Sequence, residues 1–225
     1  MITSASNPKL RLMHRLLESR RQREKEGLFV VEGEDLVQAA DDASIEPIEL
    51  LRAGEDVEQE LLARVSTMAH PPRVMGIYRR ESLPRGVEPL SLSLWHVADP
   101  GNVGTILRTA DAFGASVALS PGCADPTGPK ALRASAGAVF RVPIAGFGEP
   151  DGKRIALVSD GDRPLAGLDP GVPVTYVLGA ERAGLPEEVV AACDEQATIP
   201  LAEGAESLNV AIAGAIALYE HRRPR

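Results

Sequence analysis

A short apolar run around a proline, Ile199-Pro200-Leu201, is followed by the stretch Glu206-Ser207-Leu208-Asn209-Val210-Ala211. The run is typical of a strand end. Apolar side chains then recur at helical spacing, at Leu208, Ile212, Ala215, Ile216 and Tyr219. This junction predicts a strand followed by a helix that has Ser207 and Asn209 in its first turn. Such a turn either binds a ligand or uses Ser207 only as its N-cap.

A second junction follows the strand-like run from Leu90 to Val97 and reads Asp99-Pro100-Gly101-Asn102-Val103-Gly104-Thr105-Ile106-Leu107-Arg108. The predicted helix has a buried stripe formed by Val103, Ile106, Leu107, Ala110 and Phe113. This stripe leaves Arg108 away from the core and places Asn102 at or just before the helix start. As plain structure, Asn102 is a cap and Arg108 a solvated charge.

The third junction begins with a near-continuous apolar run from Val174 to Gly179, which suits a strand buried on both faces. A loop follows, Ala180-Glu181-Arg182-Ala183-Gly184-Leu185-Pro186, whose glycines allow close approach to a ligand. Glu181 alternatively caps a helix that begins near Pro186. Strands and helices alternate from Leu90 onward, which predicts an α/β fold with a parallel sheet covered on both faces.

One connection is too short for that pattern. Only the nine residues 145–153 separate the predicted strands Arg141 to Ile144 and Arg154 to Val158, and they are rich in glycine and proline. A crossover helix with its loops needs about a dozen residues or more. We therefore expect one face of the sheet to be thinly covered, or covered by a partner.

Together the three junctions resemble the three motifs of the SpoU (TrmH) family of RNA ribose 2'-O-methyltransferases, in the SPOUT superfamily. The resemblance runs from Leu90 to Glu220 with the motifs in the expected order. It implies an α/β domain with a parallel sheet and a deep trefoil knot. It also implies methyl transfer from S-adenosylmethionine to a ribose 2'-hydroxyl of structured RNA, with ribosomal RNA favoured over transfer RNA.

The amino-terminal sequence resembles the substrate-binding domain of many family members, which is similar to a small RNA-binding ribosomal protein. We therefore predict an RNA substrate-binding domain at 1–80, a linker at 81–88 and the methyltransferase domain at 89–225. Within the first domain we expect, after a basic amino-terminal helix, strands at Leu28 to Val31, Ile45 to Leu51 and Val74 to Tyr78, and helices at Asp35 to Ala40 and Val57 to Met68.

The resemblance also implies the site residues. The catalytic set is Asn102, Arg108, Glu181, Ser207 and Asn209. The set that contacts S-adenosylmethionine, largely through backbone groups, is Leu178, Gly179, Ile199, Leu201 and Leu208, although plain core packing also explains Ile199 and Leu208. An arginine of ordinary pKa does not release a proton near neutrality. We therefore expect Arg108 to stabilise the forming alkoxide or an adjacent phosphate.

The charge distribution bears on RNA binding. The whole chain has a net charge of −8, but Met1 to Val30 contains seven basic and three acidic residues. Arg11 and Arg15 project from the predicted first helix and are candidate phosphate contacts, or an ordinary solvated face. Lys130 and Arg133 lie in a family-like segment expected to shape the RNA entrance, and a structural role for Arg133 is the alternative.

Other features concern partners and location. The last predicted helix is rich in alanine and glycine, which suits close packing, and in this family that helix helps form a homodimer whose partner completes the site. No apolar stretch is long enough to span a membrane, no signal peptide is present, and Cys123 and Cys193 lack metal or redox spacing, which predicts a cytoplasmic protein. No metal site is predicted, and 4% aromatic residues argue against base-stacking platforms.

Two other functional classes fit the sequence less well. A dinucleotide-dependent oxidoreductase requires a G-x-G-x-x-G turn, whereas Gly101 and Gly104 have the wrong spacing. A non-catalytic RNA-binding or ribosome-assembly protein would keep the fold without turnover. Retention of the five motif residues implied to be catalytic argues against that second class.

Overall fold

The amino-terminal elements form a small three-stranded sheet with helices around it. The structure is a computed structural model that describes residues 1–161, 163–205 and 207–223. The strands are antiparallel in the order β1-β3-β2. In chain order the elements are α1 (Pro8–Glu18), α2 (Arg20–Glu26), β1 (Leu28–Glu32), α3 (Glu34–Asp42), β2 (Glu49–Arg52), α4 (Gln59–Val65) and β3 (Val74–Arg79).

The carboxy-terminal elements form a six-stranded, wholly parallel sheet in the order β6-β5-β4-β8-β7-β9. The elements are β4 (Leu90–Leu94), α5 (Pro100–Phe113), β5 (Ser116–Leu119), α6 (Pro129–Ser135), β6 (Ile144–Gly146), β7 (Lys153–Leu157), β8 (Val174–Leu178), α7 (Glu187–Ala191), β9 (Glu195–Ala197) and α8 (Val210–Arg222). The predicted α/β fold with a parallel sheet is confirmed.

Several predicted boundaries were wrong. The strand predicted at Ile45 to Leu51 begins only at Glu49, and the one predicted at Arg141 to Ile144 begins at Ile144, after a short 3-10 helix over Ala138–Phe140. The predicted basic first helix divides at Ser19, whose side chain caps α2. These errors arise because a local apolar run does not say which of its residues find a neighbouring strand.

The two halves of the chain are closely joined. Phe29 and Tyr78 of the small sheet pack against Phe140, with ring centroids 6.4 and 6.3 Å from the Phe140 ring. The segment predicted as a linker contains a short 3-10 helix over Arg80–Ser82 and the buried Leu83. Aromatic packing at this distance stabilises beyond simple area burial. Leu83 anchors the segment between the halves, while most of its other residues are exposed.

A buried ion cluster reinforces the same junction. Asp125 accepts hydrogen bonds from Arg23 Nε at 2.7 Å and from Arg80 Nη1 at 3.0 Å, and Arg80 also donates to Thr127. Burial alone would raise the pKa of Asp125, but Arg80 and Arg23 outweigh burial and hold this pKa below its ordinary value. Arg23, one of the seven basic residues of the amino-terminal stretch, is only 5% exposed.

Of the two long helices beside the large sheet, α5 packs as predicted and α8 does not. Helix α5 buries Val103, Ile106, Leu107 and Ala110 as predicted. Helix α8 instead buries Val210, Ala211, Gly214, Ala217 and Leu218. Its predicted apolar stripe is largely exposed, since Leu208 is 40%, Ile212 49% and Tyr219 54% accessible. Among the described residues, no helix is long and apolar enough to cross a membrane.

Candidate functional site

A cleft of about 490 Å³ lies where three parallel strands, β7, β8 and β9, end. Sites in open α/β sheets characteristically lie at the carboxyl ends of the strands. All five residues predicted to contact the methyl donor line the cleft: Leu178, Gly179, Ile199, Leu201 and Leu208. Its size lies within the range of about 300–1,000 Å³ typical of small-molecule sites.

The loop after β8 is folded tightly against one wall of this cleft. Ala180 and Gly184 exchange backbone hydrogen bonds at 2.9 and 3.1 Å. A Cβ at Gly179 would collide with the carbonyl carbon and oxygen of Gly184, so a side chain at that position would force the loop open. The tight packing of this loop thus depends on the absence of a side chain at Gly179, and the loop lines the cleft.

Three of the five predicted catalytic residues form one hydrogen-bonded chain. Asn102 Nδ2 donates to Glu181 Oε1 at 2.9 Å, and Asn209 Nδ2 donates to Asn102 Oδ1 at 3.0 Å. Asn209 Oδ1 in turn accepts from the backbone N–H groups of Ala211 and Ile212. Because an ionised carboxylate only accepts hydrogen bonds, Glu181 fixes the amide orientation of both asparagines. The three motifs thus meet side chain to side chain.

The two asparagines occupy helix starts differently from their predicted positions. Helix α8 begins at Val210 and its N-cap is Asn209, so the expectation that Ser207 is the cap was wrong. Helix α5 begins at Pro100, which makes Asn102 its third residue and Asp99 its N-cap. Ser207 precedes α8 and lines the cleft. Glu206 of the same stretch lies outside the described residues.

Asp99 was missed by the sequence reasoning, although an aspartate directly before a proline is a common helix-start signal. Its Oδ1 accepts from the backbone N–H groups of Gly101 at 2.5 Å and Asn102 at 3.2 Å. Its Oδ2 accepts from Lys130 Nζ at 3.0 Å, and this bond lowers the pKa of the Asp99 carboxyl. Lys130, predicted to contact RNA, thereby supports the start of α5.

Arg108 stands apart from the hydrogen-bonded chain. It is exposed on α5, and among the described residues it makes no hydrogen bond or ion pair. Glu181 is directed to Asn102 rather than to Arg108. The alternative reading of Glu181 as the cap of α7 was also wrong, since the N-cap there is Pro186.

The other predicted RNA contacts divide into two groups. Arg11 and Arg15 are exposed on α1, as predicted. Arg133 instead donates to Thr67 Oγ1 at 2.9 Å and to the buried carboxylate of Glu32 at 3.3 Å. Glu32 also accepts from the Ser66 and Thr67 hydroxyls. This geometry favours the structural alternative for Arg133, which ties α6 to the amino-terminal elements.

The match to a family model decides the affiliation, since residues 89–219 match the model described as the SpoU rRNA Methylase family. The chain belongs to that family. This chain is similar to an uncharacterized tRNA/rRNA methyltransferase of Synechocystis sp.. The two are 36% identical over 181 residues, which cover 74% of this chain and 66% of that protein. The chain thus spans just under two thirds of that relative's length.

Two further methyltransferases are similar to this chain over nearly its whole length. The 23S rRNA (guanosine(2553)-2'-O)-methyltransferase RlmP of Bacillus subtilis is 28% identical, with 98% of both chains covered. The crystal structure of an AdoMet-bound rRNA methyltransferase from Sinorhizobium meliloti superposes with a TM-score of 0.87 at 30% identity, covering 98% of this chain and 96% of that one. Similarity to SpoU proteins therefore includes the amino-terminal elements.

Proposed function

We propose that the protein transfers a methyl group from S-adenosylmethionine to a ribose 2'-hydroxyl of structured RNA, with ribosomal RNA favoured over transfer RNA. The observation that carries this proposal is the convergence of Asn102, Glu181 and Asn209 beside a cleft lined by all five predicted donor contacts. The RlmP and Sinorhizobium meliloti similarities support the donor and the RNA class.

The cleft suits the donor chemically. Leu178, Leu201 and Leu208 provide apolar walls, while the backbone of the loop after Gly179 provides hydrogen-bonding groups. S-adenosylmethionine supplies an electrophilic methyl group on a sulfonium centre when it is bound. What remains for the protein is to orient the ribose and to stabilise charge on its oxygen, which is catalysis by positioning and electrostatics.

Each proposed catalytic residue then has a physical task. Asn102 and Asn209 are held by Glu181 and by the start of α8, so they form a fixed polar edge toward the RNA. Ser207 adds a hydroxyl at the cleft wall. Arg108, exposed and unpaired among the described residues, supplies the cation that meets the alkoxide or phosphate.

We propose that this happens in a cytoplasmic homodimer in which a second copy of the chain completes the site. The exposed apolar side chains of α8, Ile212 and Tyr219, support such an interface. Arg108 lies outside the hydrogen-bonded group formed by Asn102, Glu181 and Asn209 of the same protomer. This position agrees with completion of the site by a second protomer. The division into an RNA-binding domain at 1–80 and a knotted catalytic domain at 89–225 belongs to the same proposal.

Calorimetric titration with S-adenosylmethionine, with NADH as a control, tests the donor site without knowledge of the RNA. Methyl transfer to unmodified 23S ribosomal RNA then tests the reaction. Donor binding without methyl transfer to ribosomal or transfer RNA would favour the alternative, a non-catalytic RNA-binding or ribosome-assembly protein. No donor binding in the presence or absence of RNA would contradict the proposed reaction.

Substitution of Arg108 by Lys tests the role of its planar guanidinium. The charge stays while the fork of donors is lost, so we expect methyl transfer to fall by about 10²-fold or more with donor affinity unchanged. Arg64→Lys, on the exposed side of α4, is the matched control. Near-normal turnover of the Arg108 variant would exclude a bidentate role.

A further inference from the structure

Helices α5 and α8 pack side by side on one face of the large sheet. Leu92 and Leu178 face α8, because a Cβ at Gly214 would lie 3.1–3.3 Å from their methyl carbons. Side chains alternate along a strand, so Ser91, Ser93 and then Trp95 point to the opposite face. The connection between β6 and β7 contains no helix, and its Phe147 ring lies 5.1 Å from that of Trp95.

An aromatic patch forms where this connection meets the carboxyl edge of the sheet. The patch consists of Trp95, His96, Phe147 and Arg154. The indole and imidazole rings of Trp95 and His96 are parallel, with centroids 4.7 Å apart and an interplanar angle of 3°. Phe147 meets Trp95 edge-on, and the Arg154 guanidinium lies 5.5 Å above the Phe147 ring. These contacts fix the rings before any ligand arrives.

His96 is the outermost member of the patch and the most constrained. It is exposed, yet its backbone has a φ of +51°, in the left-handed region that few side chains adopt. Its backbone N–H donates to Ser120 Oγ at 2.9 Å. The Gly122 backbone packs closely against the imidazole, since a Cβ there would lie 3.2–3.4 Å from three ring atoms of His96. Strained residues held by their surroundings cluster at functional sites.

The patch lies between the proposed RNA-binding helices and the proposed reaction site. On one side, the Trp95 backbone N–H donates to the carbonyl of Leu178, which lines the cleft. On the other side, Arg20 of α2 donates to the carbonyl of Cys123 at 2.8 Å, next to the Gly122 that adjoins His96. RNA bound along α1 and α2 and reaching the cleft would therefore pass over His96.

We propose that His96, supported by Trp95, stacks on an unpaired base of the RNA substrate beside the reaction site. This inference rests on the proposed function. Aromatic rings, including imidazole, bind unstacked bases face to face, and the face of a preordered ring loses little entropy on binding. The charged side chain within the patch is cationic, which favours a polyanion as the occupant. Base stacking here adds contact with the base to contact with the phosphates.

The test compares the parent protein with three variants in binding unmodified 23S ribosomal RNA. His96→Asn removes the ring but tolerates the left-handed backbone, whereas His96→Phe keeps a ring without its nitrogens. His70→Asn, in the exposed loop between α4 and β3, is the matched control. Affinity is measured between about 50 and 200 mM salt, the range in which phosphate contacts reveal themselves by their slope.

Stacking predicts that His96→Asn weakens RNA binding by roughly 5- to 150-fold without changing the salt slope, while His96→Phe and His70→Asn bind almost as the parent protein does. Unchanged affinity of His96→Asn would overturn the inference. Equal weakening of the asparagine and phenylalanine variants would also overturn it, because a role through charge or hydrogen bonding would then replace stacking. Unaltered S-adenosylmethionine affinity and thermal unfolding show that the variants are folded.

The unsubstituted protein offers an independent measurement. Trp95 is the single tryptophan of the chain, so its fluorescence reports on the patch alone. Stacking at His96 predicts a change in Trp95 emission that saturates together with RNA binding. RNA binding without any change in emission contradicts the inference but leaves the proposed function intact. Absence of RNA binding by the parent protein contradicts both.

Discussion

Helices α5 and α8 each contribute an asparagine to the same hydrogen-bonded chain, Asn102 within α5 and Asn209 at the start of α8, but the two helices are anchored in different ways. Four apolar residues of α5, Val103, Ile106, Leu107 and Ala110, are fully inaccessible to solvent. Helix α8 rests on the sheet through small residues and leaves Ile212 and Tyr219 about half exposed. Helix α5 is thus fixed by burial within its own chain, whereas α8 leaves part of its apolar surface exposed, in agreement with the proposed homodimer.

Helix α5 is further secured by α6, which is tied to the amino-terminal elements by Asp125 and Arg133. Gly104 of α5 lies directly against the α6 backbone at Ala131 and Ser135. Lys130 of α6 holds the Asp99 carboxylate that caps α5. The position of Asn102 therefore depends on contacts that begin in the first half of the chain.

Among these substitutions, Asp125→Asn is expected to lower the free energy of unfolding most. Removing one partner of a buried ion pair typically costs about 3–5 kcal/mol. We expect a loss of that size in the free energy of unfolding, measured by urea denaturation. Glu24→Gln, which breaks the exposed pair with Arg20, is the control and should cost below about 1 kcal/mol. Similar losses in both variants would contradict the special role of the Asp125 cluster.

The same cluster gives a pH dependence. The pKa of Asp125 is lower in the folded protein than its unfolded-state value of about 3.9. Its contribution is therefore present above that value and is lost as the pH falls through the folded-state pKa. We expect stability to decline below about pH 4 in the parent protein and less steeply in Asp125→Asn.

A pair of glycine substitutions compares the helices directly. In Gly104→Ala the new Cβ would collide with the Ala131 carbonyl oxygen and lie 2.6 Å from Ala134 Cβ, so we expect a loss of roughly 1–3 kcal/mol. In Gly214→Ala the nearest atoms are the flexible ends of Leu178 and Leu92. There the helix propensity of alanine, worth about 1 kcal/mol, offsets the crowding. Equal thermal stabilities of the two variants would refute the contrast.

Substitutions of Asn209 separate helix capping from the hydrogen bond to Asn102. Asn209→Ala removes both and should lower stability by about 0.5–2 kcal/mol as well as methyl transfer. Asn209→Asp keeps the capping oxygen but loses the donor to Asn102, so stability should stay near the parent value while methyl transfer falls. If the aspartate variant kept full activity, the bond between the asparagines would have no part in the reaction.

The smallest effect on the folding of a single chain is expected on the exposed face of α8. Ile212→Asn combined with Tyr219→Asn should change monomer stability by no more than about 0.5 kcal/mol for each substitution, as for other surface sites. The sedimentation mass at micromolar protein should nevertheless fall to that of a monomer. Ile48→Asn, a similarly exposed apolar residue of the first half, is the control. An unchanged mass of the double variant would place the interface elsewhere.

The sequence alone predicted the parallel α/β sheet and, through the family resemblance, five of the residues that line the cleft. These follow from local patterns, since apolar runs predict the strands and the resemblance of the strand-to-helix junctions at 99–108, 174–186 and 199–211 predicts the cleft residues. The short connection 145–153 likewise predicted the absence of a helix there, because length limits what a segment can form.

Only the tertiary structure decided which side of α8 is buried and what each polar residue contacts. A helix with apolar residues on both sides, such as α8, does not specify by periodicity which face meets the sheet, and here the close approach of small residues prevails. Lys130, Arg133 and Arg23 are equivalent cations in the sequence, but carboxylates from distant segments draw them into supporting roles. The aromatic patch arises in the same way, since the 50 residues of sequence between His96 and Phe147 conceal that both rings adjoin Trp95.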